Sequence, residues 1–214
     1  VIDLGKYIEQ IKQLEPLATG FMYNANTWSK LSEPHKLLIK DFEDRIVTRA
    51  DIINAYETYC KEGTDVMRPF LLTMVWGFSD TGYGTHRTNN YITNPENIDL
   101  IKQGIDAAQR NNFKTAFKAL KQIKGLGVSY LTKVLYFASK GAGIKNYALI
   151  YDIRVASSLI QLTTPREIFE IVSINPSSKY EDFAKYNKLV HELAAKHNVE
   201  ADAIELFLFE QKFE

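Results

Sequence analysis

AFKALKQIKGLGVSYLTKVLYFASKGAGIKNYALIYDIRVASSL, residues 116–159, alternates helical periodicity with two glycine-bearing breaks. Ala116, Phe117 and Leu120 share one face of a helix that Asn112 can cap, together with Phe113. Leu131, Val134, Leu135 and Ala138 mark a second helix from Ser129 to Ser139. Between them lies Lys124-Gly125-Leu126-Gly127-Val128, a tight turn in which Gly125 and Gly127 permit backbone angles a side chain would forbid. After the second break, KGAGIKN, Asp152 opens a third helix through Val155 and Leu159.

Helical periodicity extends outward in both directions. Leu4, Tyr7, Ile8 and Ile11 predict a first helix, which Leu14, Leu17 and Phe21 prolong or follow. Leu37, Leu38, Phe42 and Ile46 predict another, and Asp51 can cap a helix through Ile53, Tyr56 and Tyr59 that stops near Gly63. Thr64-Asp65 starts the apolar run to Phe78, where Pro69 is tolerated in the first turn. From Ser79 to Asn94 the pattern vanishes and a long loop is expected, with Trp76 and Phe78 at the mouth of a site beside it. Helix resumes after Asn94-Pro95, and further helices are expected from Thr164-Pro165 to Val172, through Phe183 to Leu193 after a turn at Asn175–Ser178, and from Asp202 to Phe213. No convincing strand alternation or internal repeat appears. The reading is an all-α protein, one unit over residues 1–214, with the helical hairpin at 113–139 inside it.

The 214 residues suffice for a substantial core, and their 45% hydrophobic, 24% charged composition is that of a globular chain. No apolar run is long enough to span a bilayer, and the first ten residues lack the pattern of a secretion signal, so a soluble cytoplasmic monomer without membrane association is expected. A single cysteine, Cys60, forbids an intrachain disulfide and a cysteine-ligated iron-sulfur cluster, and its expected place is the interior. The four histidines show no zinc-ligand spacing, and no phosphate loop of the GxxxxGK[ST] kind occurs.

Net charge is zero but unevenly spread. Between Ile101 and Asn146 nine lysines and arginines face one acid, Asp106, a local +8 balanced by −8 elsewhere. Lys114, Lys118 and Lys121 form a stripe at spacings of four and three on the side opposite the apolar face. Such a split suits one polyanion-binding surface. In the turn, outward-facing amides at the start of a helix suit a phosphate, so Gly125, Gly127 and Ser129 with Lys121 and Lys124 are candidate phosphate ligands.

At this point the segment resembles the helix-hairpin-helix superfamily of DNA glycosylases, whose hairpin follows the pattern apolar-x-G-apolar-G. MVWGFSDTGYG and IYDIRVASSL further resemble its bacterial 8-oxoguanine-glycosylase-like branch without an iron-sulfur cluster. The resemblance implies two packed helical lobes with a cleft between them, duplex DNA as partner, and an oxidised purine flipped into a pocket, for which Trp76, Phe78 and Tyr83 are candidates. It also implies a monovalent cation at the hairpin carbonyls, no other cofactor, and a catalytic aspartate, here Asp152. Asp152 serves equally as a helix N-cap, and the two roles are compatible. Bifunctional members carry their imine-forming lysine where this chain has Ser129. Either water replaces the lysine, or Lys133, one turn later and leaning toward the helix N-terminus, supplies the amine. The competing expectation is a non-catalytic hairpin module that only binds DNA.

Overall fold

The computed structural model describes residues 4–79, 82–162 and 179–211. The helix expected over 164–172 and the turn at 175–178 lie outside the described residues. Regular structure begins with α1 (Ile8–Lys12), β1 (Gly20–Met22), α2 (Glu33–Leu37) and β2 (Ile46–Thr48), and continues with α3 (Arg49–Glu62), α4 (Met67–Phe78) and α5 (Gly84–Ile92). Then come α6 (Pro95–Gln109), α7 (Phe113–Lys121), α8 (Val128–Gly141), α9 (Ile153–Leu162), α10 (Tyr180–His197) and α11 (Ala201–Glu210). The class is all-α, apart from one antiparallel ribbon that pairs Gly20 with Thr48 and Met22 with Ile46.

That ribbon corrects two expectations. Phe21 belongs to β1 instead of prolonging the first helix, and Ile46 belongs to β2 instead of continuing the helix of Leu37. Strands of three residues are too short for period-two alternation to register. The cap of α3 is also not Asp51 but Thr48, whose hydroxyl accepts the Asp51 amide at 3.2 Å while Asp51 accepts the Thr48 amide at 2.8 Å, a reciprocal capping box. Other boundaries agree with expectation: Pro69 sits in the first turn of α4, and Asn94 and Asn112 cap α6 and α7.

The stretch expected as a loop contains α5. The face α5 buries carries Thr85, Thr88, Tyr91 and Ile92, at helical spacing. Its first two positions are hydroxyls, one of them satisfied by Thr85 donating to the Thr27 carbonyl at 2.8 Å, so hydropathy misses the helix. Cys60 is exposed, on the solvent side of α3, contrary to the expected burial. No described helix is long and apolar enough to cross a membrane.

The core is built around α8, which packs on α3, α4, α6 and α7 and buries ten of its fourteen residues. Alongside it runs an extended segment, Tyr147 to Tyr151, fully buried yet unpaired with any strand among the described residues. Five of its backbone groups are satisfied by side chains. Ser139 accepts the Ala148 amide at 3.0 Å, Asn187 accepts that of Leu149 at 2.7 Å, and Thr132 accepts that of Tyr151 at 3.0 Å. Tyr186 donates to the Ile150 carbonyl at 2.8 Å, and His191 donates to that of Tyr147 at 2.8 Å. Unsatisfied, each of these groups would cost about 1–3 kcal/mol. The segment ends at Asp152, so these bonds from α8 and α10 fix where that carboxylate stands.

The capping box gives a direct stability test. Thr48→Ala should lower unfolding free energy by about 1 kcal/mol in urea titrations, with Thr48→Ser nearly neutral. An alanine variant as stable as the parent would remove the cap from the account of α3.

Candidate active site

The first turn of α8 and the residue preceding α9 meet. Ser129 Oγ donates to Asp152 Oδ2 at 2.5 Å and accepts from Lys133 Nζ at 2.7 Å. The ammonium also reaches the Ser129 carbonyl at 3.3 Å and lies 3.7 Å from Asp152 Oδ2. The lysine at position 133 therefore delivers its amine back to Ser129, as the N-terminal lean of helical side chains requires. Its stem runs over the Tyr130 ring, with the ammonium 5.2 Å from the ring centroid, and past Gly77. A Cβ at Gly77 would sit 3.2 Å from Lys133 Cδ and 3.3 Å from Tyr130, so this glycine leaves room for the stem.

Asp152 caps its helix and faces the cluster with separate oxygens. Its Oδ1 accepts the Arg154 amide at 3.0 Å, capping α9, while Oδ2 serves the serine and lysine. Burial alone would raise its pKa, but Lys133, the Ser129 hydroxyl and the Arg154 amide together hold it below the usual carboxylate range. For Lys133 the balance reverses. Burial lowers its pKa by more than Asp152 and Glu205 restore, with nearby Arg49 adding to the depression. The asymmetry follows exposure, since the Lys133 side chain is 8% exposed and that of Asp152 16%. A depressed lysine bonded through a hydroxyl to a carboxylate can lose its proton along that path and become a nucleophile.

This cluster borders a cavity of about 540 Å³ where β1, the start of α3 and the end of α4 meet α8, residues 150–154 and α11. Trp76 and Phe78 line it, Trp76 edge-on to Phe21 and Phe137 and Phe78 stacked on Tyr130 at 4.2 Å. Tyr83, the third candidate for a base pocket, is not among the lining and is 73% exposed. Sequence reasoning missed Arg49 and Glu205, which form an ion pair at 2.8 Å on the cavity wall, with side chains 2% and 1% exposed. Burial raises the Glu205 pKa, opposed by Arg49. An arginine directly after a capping threonine and an acid inside the apolar run ADAIELFLF were the available signals, and neither shows a partner without the fold.

The glycine turn borders a second hollow, which shares Ser129, Tyr130 and Asp152 with the first and is lined also by Lys121, Lys124, Gly125, Gly127 and Arg87. Gly125 has φ +87°, open to glycine, and its carbonyl accepts the Tyr91 hydroxyl at 2.8 Å. Gly127 is the N-cap of α8, so the Val128 and Ser129 amides, in its first turn, have no carbonyl within the helix. The basic stretch is partly used internally. Lys102 pairs with Asp106, Lys140 with the buried Asp202, and Lys133 is in the cluster. Lys114, Lys118, Lys121 and Lys124 are exposed on α7 and the turn. Among the described residues no group of three or more His, Cys, Asp or Glu side chains could hold a metal ion.

Asp152→Asn removes the charge that supports the protonated lysine. The Lys133 pKa, followed by the pH dependence of its ¹³Cε shift, should fall further below the ordinary lysine range in this variant; a rise or no change would contradict the pairing.

A family model described as "Putative 8-oxoguanine DNA glycosylase OGG-like protein" matches residues 14–209. No curated protein and no solved structure matches the chain.

Proposed function

The chain belongs to this OGG-like DNA glycosylase family, and we propose that it excises an oxidised purine of the 8-oxoguanine type from duplex DNA and forms a covalent imine with Lys133. The observation that carries the reading is the Lys133–Ser129–Asp152 chain of hydrogen bonds on the wall of a cavity large enough for a base, with Ser129 and Asp152 also bordering the hollow at the glycine turn.

Chemistry on a duplex base requires the nucleotide to leave the stack. The amides at the start of α8, with Lys121 and Lys124, hold a backbone phosphate beside the cavity, in the manner of a helix-hairpin-helix motif. A monovalent cation at the turn would share the Gly125 carbonyl with the Tyr91 hydroxyl through that oxygen's second lone pair. Trp76 and Phe78 supply apolar wall for the flipped base.

In the reaction, Lys133 passes a proton through Ser129 to Asp152 and its neutral amine attacks C1′. The bond from C1′ to the base breaks, and the base leaves with the bonding pair and takes up the proton that Asp152 holds, which restores the carboxylate. Opening of the sugar ring, with a proton of the attached amine passing to O4′, leaves a protonated imine between Lys133 and C1′. The carboxylate restored as the base departs faces the positive charge that develops on the sugar, where it lowers the barrier electrostatically. The imine makes the proton at C2′ acidic, so elimination of the 3′ phosphate, a lyase step, follows from the same intermediate. Water attacking in place of the amine would yield base release without strand scission. A module that only gripped phosphate would have no use for a buried amine bonded toward a carboxylate.

Incubation with a labelled 8-oxoguanine duplex and borohydride should trap a covalent adduct that is absent in Lys133→Gln, while Asp152→Asn should slow base release about 10²–10⁴-fold. Base release without any adduct would assign the attack to water. No release from any lesion would sink the proposal. Lys124→Ala should weaken DNA binding evenly across sequences and reduce the slope of log K against log salt by about one. An unaltered slope would place the phosphate elsewhere.

A further inference from the structure

The Lys133 nitrogen faces an aromatic ring as well as hydrogen-bond partners. Its bonds go to Ser129, to Oγ at 2.7 Å and to the carbonyl at 3.3 Å, while Asp152 Oδ2 stands off at 3.7 Å. The ring of Tyr130, three residues earlier on α8, has its centroid 5.2 Å from the same nitrogen. Phe78, the last residue of α4, stacks on that ring at 4.2 Å, and Gly77 lets the ring come close, since a Cβ there would meet it at 3.3 Å. The face of an aromatic ring carries partial negative charge and attracts a cation within about 6 Å, most strongly where water is excluded. The Lys133 side chain is 8% exposed, so little water competes for it.

We propose that Tyr130 is a positioning residue, its ring face carrying the positive charge of the Lys133 nitrogen as an ammonium at rest and as a protonated imine after attack. The second form rests on the glycosylase reading, which supplies the imine. An ammonium has three N–H groups and can bond both Ser129 oxygens at once. A protonated imine keeps one N–H, so one of those two bonds is lost when C1′ attaches. Asp152 offers no charge in exchange while attack proceeds, because it holds the proton that Lys133 gave up until the departing base takes it. The other charged groups acting on the amine, Glu205 of α11 and Arg49 of α3, pull in opposite directions. An aromatic face needs no donor and does not change when protons move, so it serves the nitrogen in both forms. Burial raises the Tyr130 pKa, which keeps the ring a neutral phenol while the amine titrates. By favouring the charged nitrogen the ring opposes the burial that lowers the Lys133 pKa, and weakening the ring must lower that pKa further.

The test replaces Tyr130 by phenylalanine and then by phenylalanine bearing one, two or three fluorines, which nearly preserve the shape of the ring and make its face progressively less negative. Circular dichroism checks the fold of each protein. Without DNA, the Lys133 pKa followed by its ¹³Cε shift should fall at every step of the series. Single-turnover base release from an 8-oxoguanine duplex, measured at a pH where the amine is neutral in every variant, should slow at every step, by about tenfold in all. A ring that only fills space would produce no graded order in either. A pKa that ignores the fluorines overturns the proposal, whether or not a base is released. A graded pKa with release that ignores the fluorines overturns the role in the reaction. A graded pKa with no release from any lesion duplex overturns the glycosylase reading and leaves the ring as the support of the ammonium.

Discussion

The extended segment from Tyr147 to Tyr151 is the constraint on which the candidate active site depends. A backbone run buried without strand partners has to find its hydrogen bonds in side chains, and here Thr132 and Ser139 of α8 and Asn187, Tyr186 and His191 of α10 provide them. The two α8 hydroxyls do this while also bonding back to the carbonyls four residues earlier, Val128 and Leu135. α8 therefore carries both the amine and two of the acceptors that tether the backbone leading to the carboxylate. Displacing the segment would disconnect Asp152 from Ser129 and Lys133 together, so the cluster stands or falls as one construction.

The two charged pairs of the cavity differ in how closely they meet. Lys133 and Asp152 meet across a hydroxyl, at 3.7 Å, and the lysine loses more from desolvation than the carboxylate returns. Arg49 and Glu205 touch at 2.8 Å deeper in the wall, where burial raises the Glu205 pKa against the opposing pull of Arg49. Burial thus disfavours the charged form of both Lys133 and Glu205, and each is opposed by the partner it faces.

Much of this was legible in the residues. The helical class, the helix start after Asn94-Pro95, the cap at Asn112, the glycine turn and the carboxylate opening α9 all follow from local pattern, because each is decided within a few neighbouring residues. The direction in which Lys133 leans was also readable, since helix geometry fixes it. α5 escaped because Thr85 and Thr88 bury hydroxyls on the face where an apolar stripe is sought. β1 and β2 escaped because three residues cannot display a period of two. Tyr83 resembled a pocket residue by its neighbourhood in sequence and lies on the surface. Arg49 and Glu205 stand 156 residues apart, and only tertiary packing brings them together. Local chemistry thus foretold where the Lys133 amine lies, and long-range packing supplied the wall around it.

Gly77 gives the position of Lys133 a consequence for disorder. A lysine on the surface samples many rotamers and must be immobilised each time it reacts. The stem of Lys133 is instead confined between Gly77 and the Tyr130 ring, with its amine already bonded to Ser129. The rotational entropy of that side chain is surrendered once, when the protein folds, and not again at each turnover. Placing the amine one turn deeper than the resemblance suggests therefore makes it a rigid arm, at the cost of a glycine in the last turn of α4.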